Sequence, residues 1–321
     1  MITLLVRRCY VACALCTSCT HTHTQVRDVG LDAGWRAQRL SHADVIMRMV
    51  AQGHSVNPLF SIPWLTTVVL KLDWLHCCDQ GVAADFLGNC FLLLSTKLLG
   101  RSQKDRVSAL WGLIKEWYRA NRVTDQLQNL TYSMLKQPDR PPKLRCSAAQ
   151  CRALVPCCRG LCTRFLGIAN QQERDVLAAS DYLWHCYQAL SSDNLAPAAD
   201  LAHHSVLFAE KYVALSDAAA HPHEWRIKPK LHLWLELCSE KGRPSQFWNY
   251  RDEDFGGSVA KFSRRRGGGV ASSTIQQGAL ATLLHAPADD PPHLRKKAEN
   301  KKKHKVQKTR TIKRYIVLKR G

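Results

Sequence analysis

Residues 62–76 read Ile62-Pro-Trp-Leu-Thr-Thr-Val-Val-Leu-Lys-Leu-Asp-Trp-Leu-His76, and the reading of this stretch decides the fold class. From Leu65 to Leu72 it is rich in aliphatic and β-branched side chains, the composition of a buried strand. The run ends on a carboxylate, Asp73, followed by His76 and then by an apolar pattern at helical spacing from about Val82 to Leu99. A carboxylate where a buried strand gives way to a helix points out of the core toward a cleft, a common address for a metal ligand in α/β folds. The plainer reading of Asp73 is a turn or cap residue.

A second stretch changes that weighting. Arg226-Ile-Lys-Pro-Lys-Leu-His-Leu-Trp-Leu-Glu-Leu237 alternates apolar and polar around His232. It is followed by Phe247-Trp-Asn-Tyr-Arg-Asp-Glu-Asp254, which sets three carboxylates beside aromatics, and then by Lys261 and the run Arg264, Arg265, Arg266. Taken together, Leu72-Asp73-Trp74-Leu75-His76, Lys230-Leu231-His232-Leu233-Trp234-Leu235 and Tyr250-Arg251-Asp252-Glu253 with Lys261 resemble the core of a CACTA-type cut-and-paste DNA transposase with an RNase H-like catalytic domain. The resemblance spans roughly residues 60–100 and 225–266.

It implies catalysis by two divalent metals held by three carboxylates, Mg²⁺ or Mn²⁺ being the ion of an active form. Asp73 would then be the second acidic ligand and Glu253 the third, with His76 and His232 supporting them. Lys228, Lys230, Lys261, Arg264, Arg265 and Arg266 would line the DNA path. The family's first acidic residue has no counterpart. Asp28, Asp32 and Asp44 are available, yet none ends a strand-like run. The N-terminal half of the catalytic sheet is therefore expected to be missing.

The net charge of +20 over 321 residues points to nucleic acid or another anionic surface. Residues 295–320 hold 13 Lys and Arg against one Glu, so most of the surplus sits in the tail. Within it Lys301, Lys302 and Lys303 read as phosphate contacts or a nuclear-import signal. No apolar run reaches the ~18 residues of a membrane helix, so no membrane partner is expected. The 14 cysteines form no regular disulfide framework, which suits reduced thiols inside a cell. Cys9, Cys13, Cys16 and Cys19, with His21 and His23, are crowded into one segment, which argues against zinc. Cys158 and Cys162 share a helix face but lack a second ligand pair at zinc spacing, and read as buried thiols.

The expected fold is α+β, predominantly α-helical: a partial RNase H-like core with few strands, interrupted by an all-helical insertion. The expected organisation is a low-complexity arm over 1–34, the first part of the core over 35–100, and a helical insertion over 101–222. The last part of the core, with the Glu helix, follows over 223–269, and a linker and basic tail over 270–321. Helices are expected over 41–53, 103–121, 124–136, 147–166, 171–190 and 197–218, from apolar periodicity and from Ser41 as an N-cap.

The function expected is that of a transposon-derived, inactive remnant of an RNase H-like transposase, with residual nucleic-acid binding and no small-molecule substrate. It would be nuclear, or otherwise cytoplasmic. One alternative is an active Mg-dependent transposase that recovers its first carboxylate from Asp44 or from a partner subunit of a homo-oligomer. Another is a non-enzymatic helical scaffold that binds DNA or RNA through its tail.

Overall fold

The computed structural model describes residues 26–56, 58–67, 71–191, 197–239, 244–246 and 248–250. These belong to one compact unit, residues 1–250. Glu253, Lys261, Arg264, Arg265, Arg266, Lys301, Lys302 and Lys303 lie outside the described residues.

The unit is predominantly helical, with no strands among the described residues. Helix α1 spans His42–Ala51 and opens on a capping box in which the Ser41 side chain takes the Asp44 N–H and Asp44 answers the Ser41 N–H. A π-helical segment, Leu75–Val82, runs directly into α2, Ala83–Thr96. Helix α3 spans Gln103–Asn121, again behind a capping box, Ser102 with Asp105, and stops where Arg122 turns left-handed at φ 50°. A single turn, α4, spans Tyr132–Leu135. Helix α5, Ala148–Phe165, is capped by Ser147 and Gln150. Helices α6 (Gln171–Ser191), α7 (Pro197–Asp217) and α8 (Pro229–Ser239) complete the order. The last two start on proline, whose missing N–H and fixed φ suit a first helical position.

The organising element is the continuous helical rod from Leu75 to Thr96. Every residue from Gly81 to Phe91 is buried, so this stretch of the rod is enclosed on all sides rather than along one stripe. Helices α3 and α5, the α4 turn and the start of the rod itself pack against α2, while α8 packs on the π-helical part. Helices α6 and α7 lie along one another, α6 packing on α5 and α7 on α8. Each large apolar side chain removed from water contributes about 1.5–3 kcal/mol. A chain of edge-on rings, Tyr187 on Trp74, Trp74 on Trp234, Trp234 on Phe208 and Phe208 on Phe86, links these helices through the core.

Two expectations change, and the pattern around His232 acquires an element. The run at 65–72 is not a strand in its described part; residues 68–70 lie outside it. Leu65 instead closes a turn by donating to the Ile62 carbonyl, and the Thr67 N–H goes to the His42 ring, so these groups are already spent and no ladder forms. The alternation around His232 rides on a helix, α8. Leu231 through Cys238 are all buried there, and a helix buried all round carries no single apolar stripe. The helix expected over 124–136 shrinks to α4. Short polar groups divert the backbone upstream: Thr124 bonds Asp125, Gln126 bonds the Val123 carbonyl, and Tyr118 takes the Leu127 N–H. Leu127 and Leu130 are buried from this irregular stretch.

The rod also meets backbone at Gly88. A Cβ there would stand 2.4–2.6 Å from the Lys143 backbone, and beside it the Leu144 N–H donates to the Ala84 carbonyl at 2.8 Å. Gly88→Ala is expected to destabilise the protein by about 3 kcal/mol in urea unfolding, the upper part of the overpacking range. Gly112→Ala in α3, where a Cβ meets nothing within 4 Å, is expected to leave it as stable or more so. Equal effects at the two sites would contradict this packing.

Candidate functional site

Asp73 precedes the π-helical segment and acts as its cap. Its Oδ2 accepts the His76 N–H at 3.0 Å and pairs with His76 Nδ1 at 2.6 Å. Its Oδ1 accepts the Asn249 N–H at 3.0 Å. With the Asn249 amide turned so that its NH₂ faces the carboxylate, that group donates to both oxygens, at 2.8 and 2.7 Å. Burial alone would raise the Asp73 pKa, but the hydrogen bonds from His76 and Asn249 outweigh it and hold the carboxyl below its ordinary range.

Six residues further along, Asp79 is wholly buried. Tyr187 of α6 donates to its Oδ1 and Tyr250 to its Oδ2. Burial pushes the Asp79 carboxyl up to about 7, against the pull of the two tyrosine hydroxyls and the charge of Arg152. The Arg152 guanidinium lies 4.8 Å over the Trp248 ring and 6.0 Å from the Tyr187 ring. Residues 248–250 are thus held by a ring stack, an amide and a hydroxyl.

The other flank of the rod is cationic. Lys228 Nζ bonds the buried Asp85 at 2.8 Å. Lys230 Nζ reaches the His76 carbonyl at 2.8 Å, its stem passing Gly81, where a Cβ would meet it at 2.9 Å. Lys143 Nζ reaches the Gln80 carbonyl at 2.6 Å. Burial lowers the Lys143 pKa and Asp85 raises it, with Lys228 and Arg145 close enough to lower it further. Exposed Arg226 joins Lys228 and Lys230 in lining a shallow surface cleft that encloses only about 10 Å³, with Asp85, Val82, Tyr212 and Leu231.

The structure therefore brings Asp73 and His76 together, and Lys228 and Lys230 together. His232 stands apart, in the core, edge-on to Trp35 at 4.6 Å and 3.6 Å from Glu236, which also binds Arg39. Asp44, the alternative first carboxylate, is committed to the α1 cap. Sequence reasoning missed Asp79, Tyr187, Tyr250, Asp85, Lys143, Arg145 and Arg226. A signal existed for Asp79 and Asp85, since carboxylates inside an apolar helical run must find partners. None existed for Tyr187, which is remote in the chain. No family model, curated protein or solved structure matches the chain.

The Asp79 carboxyl makes a pH test. An unfolded aspartate titrates near 3.9, and the folded group near 7, so between those values the folded protein holds a proton that the unfolded chain has released. The Asp79 contribution to stability accordingly falls as pH rises from about 4 to about 7, by on the order of 4 kcal/mol, and is level outside that window. Asp79→Asn should be better placed relative to the wild type at pH 8 than at pH 5, measured by urea unfolding. An offset unchanged between the two pH values would contradict the burial argument.

Proposed function

We propose that this chain is a transposon-derived remnant of an RNase H-like DNA transposase that retains nucleic-acid binding through its basic residues and does not carry out strand transfer. The observation that carries this reading is how the segment from Asp73 to Asp85 disposes of its charges. At one end a carboxylate is saturated by its own neighbours; at the other, one buried carboxylate stands among several cations.

Mg²⁺ takes a near-octahedral oxygen shell, and a two-metal site needs carboxylates that face a shared space. Asp73 spends both oxygens on His76 and Asn249, and Asp79 spends both on tyrosines. Among the described residues these carboxylates do not fit a metal pair. Asp73 serves as a helix cap and as an anchor for residues 248–250.

Lys143, Arg145, Arg226, Lys228 and Lys230 gather near Asp85, more positive charge than that carboxylate neutralises. Three of them, Arg226, Lys228 and Lys230, share the cleft. Such a face suits phosphate oxygens, whose contacts position nucleic acid without reading sequence. Lys228 and Lys230 are two of the cations that the transposase resemblance places on a DNA path.

Anisotropy titrations of duplex DNA against salt test the reading. Arg226→Gln combined with Lys230→Gln is expected to flatten the slope of log K against log salt by about 2 and to weaken binding roughly tenfold or more near physiological salt. Deleting residues 295–321 should weaken binding and leave part of it. Wild-type binding by the double variant, with all binding lost on tail deletion, would assign it to the tail alone. A Mg²⁺-dependent nick in supercoiled DNA that vanishes in Glu253→Gln would overturn the claim of inactivity.

A further inference from the structure

Three sulfurs meet in the core away from the acidic and basic groups described above. Cys90 projects from α2, and Cys158 and Cys162 lie one turn apart on α5, the helix packed against it. Their Sγ atoms all lie within 4.8 Å of one another, Cys158 to Cys162 being 3.9 Å. All three residues are at most 1% exposed. Among the described residues this is the one set of three histidine, cysteine or carboxylate ligand atoms close enough to share an ion.

We propose that Cys90, Cys158 and Cys162 form a binding site for a soft, thiophilic d¹⁰ metal ion, Zn²⁺ or Cu⁺. Metal–sulfur bonds of about 2.3 Å place ligand sulfurs about 3.8–4.0 Å apart in tetrahedral or trigonal geometry. The Cys158–Cys162 separation already has that value, and the upper bound on the others calls for a contraction of under ~1 Å, within reach of side-chain torsions. Thiolate sulfur is the donor that selects these ions over Mg²⁺ or Ca²⁺. The three sulfurs complete a three-coordinate shell for Cu⁺, whereas Zn²⁺ would take a fourth ligand to close its tetrahedron. Binding forms metal–sulfur bonds and releases to solvent one proton for each thiol that becomes a thiolate, so affinity rises with pH.

Clustering, rather than burial, separates this trio from the other described thiols. Cys186 and Cys238 are as deeply buried but have no such partners in the set. A random scatter of buried cysteines fills space; three sulfurs from two helices aimed at one point create a ligand set. Its occupation would tie α2 to α5 and stabilise the fold through linkage, since the unfolded chain lacks the assembled site.

The test uses the full chain, reduced, with Cys9, Cys13, Cys16 and Cys19 replaced by serine so that the N-terminal thiols cannot contribute. Cd²⁺ serves as the optical probe through its thiolate-to-metal absorption, and metal analysis of the protein as purified distinguishes Zn²⁺ from Cu⁺. One equivalent of Cd²⁺ is expected to bind with that absorption and raise Tm. Both effects should survive Cys186→Ser and be lost in Cys90→Ser and in Cys158→Ser. Because serine can itself disturb packing, Cys90→Ala must show the same loss of absorption while remaining folded by circular dichroism. Absence of the band in the parent, or a band of equal strength in folded Cys90→Ala, would overturn the proposal.

Discussion

A helix enclosed on every side cannot leave a polar group unanswered, and of the four buried polar side chains in the rod from Leu75 to Thr96 only Ser95 is answered wholly within the helix, by the Leu92 carbonyl. Asp79 is met by Tyr187 and Tyr250, Asp85 by Lys228, and Asn89 by the Trp225 N–H at 3.0 Å. An unpaired buried carboxylate or amide costs several kcal/mol, so each demand is strong enough to fix where a distant segment lies. Asp73, at the start of the rod, adds Asn249. Apolar burial supplies most of the stabilisation, but it is directionless. These polar pairings determine which part of the chain covers which face.

The same requirement shapes the functional reading. Carboxylates engaged in holding the fold are poorly placed to hold metal, and the residue that most resembles a catalytic ligand, Asp73, has its oxygens committed to His76 and Asn249. The cations are differently disposed. Lys143 and Lys230 each cap a carbonyl of the π-helical segment, and Lys228 neutralises Asp85, yet together with Arg226 they leave a net positive face. A π-helical insertion often marks a functional position. Here it sits between the acidic anchor and the cationic cleft.

Much of the fold was legible because helix signals are local. Ser41 as an N-cap and the apolar periodicity over 103–121 and 147–166 place α1, α3 and α5 within a residue or two. The run at 65–72 misled because β-branched composition describes a propensity, which a turn at Ile62 and the His42 ring override. The alternation around His232 named no element, because a helix buried all round shows no stripe to distinguish it. At the site, Asp73, His76, Lys228 and Lys230 were legible from their motifs. Their pairings were not, since Asn249, Tyr187 and Lys143 reach the rod across long stretches of chain that no spacing rule connects. The sulfur trio was half legible: Cys158 and Cys162 are one helical turn apart, while Cys90 joins them only through packing.

The most direct test of Asp73 as a structural anchor is the stability change on Asp73→Asn, measured by urea unfolding in EDTA at neutral pH. The charged hydrogen bonds to His76 and Asn249 are worth about 1.5–3 kcal/mol, so the substitution is expected to destabilise the protein by about that much. A carboxylate held in place for a metal, and repelled by its acidic neighbours without one, would behave oppositely, and an unchanged or increased stability would contradict the account.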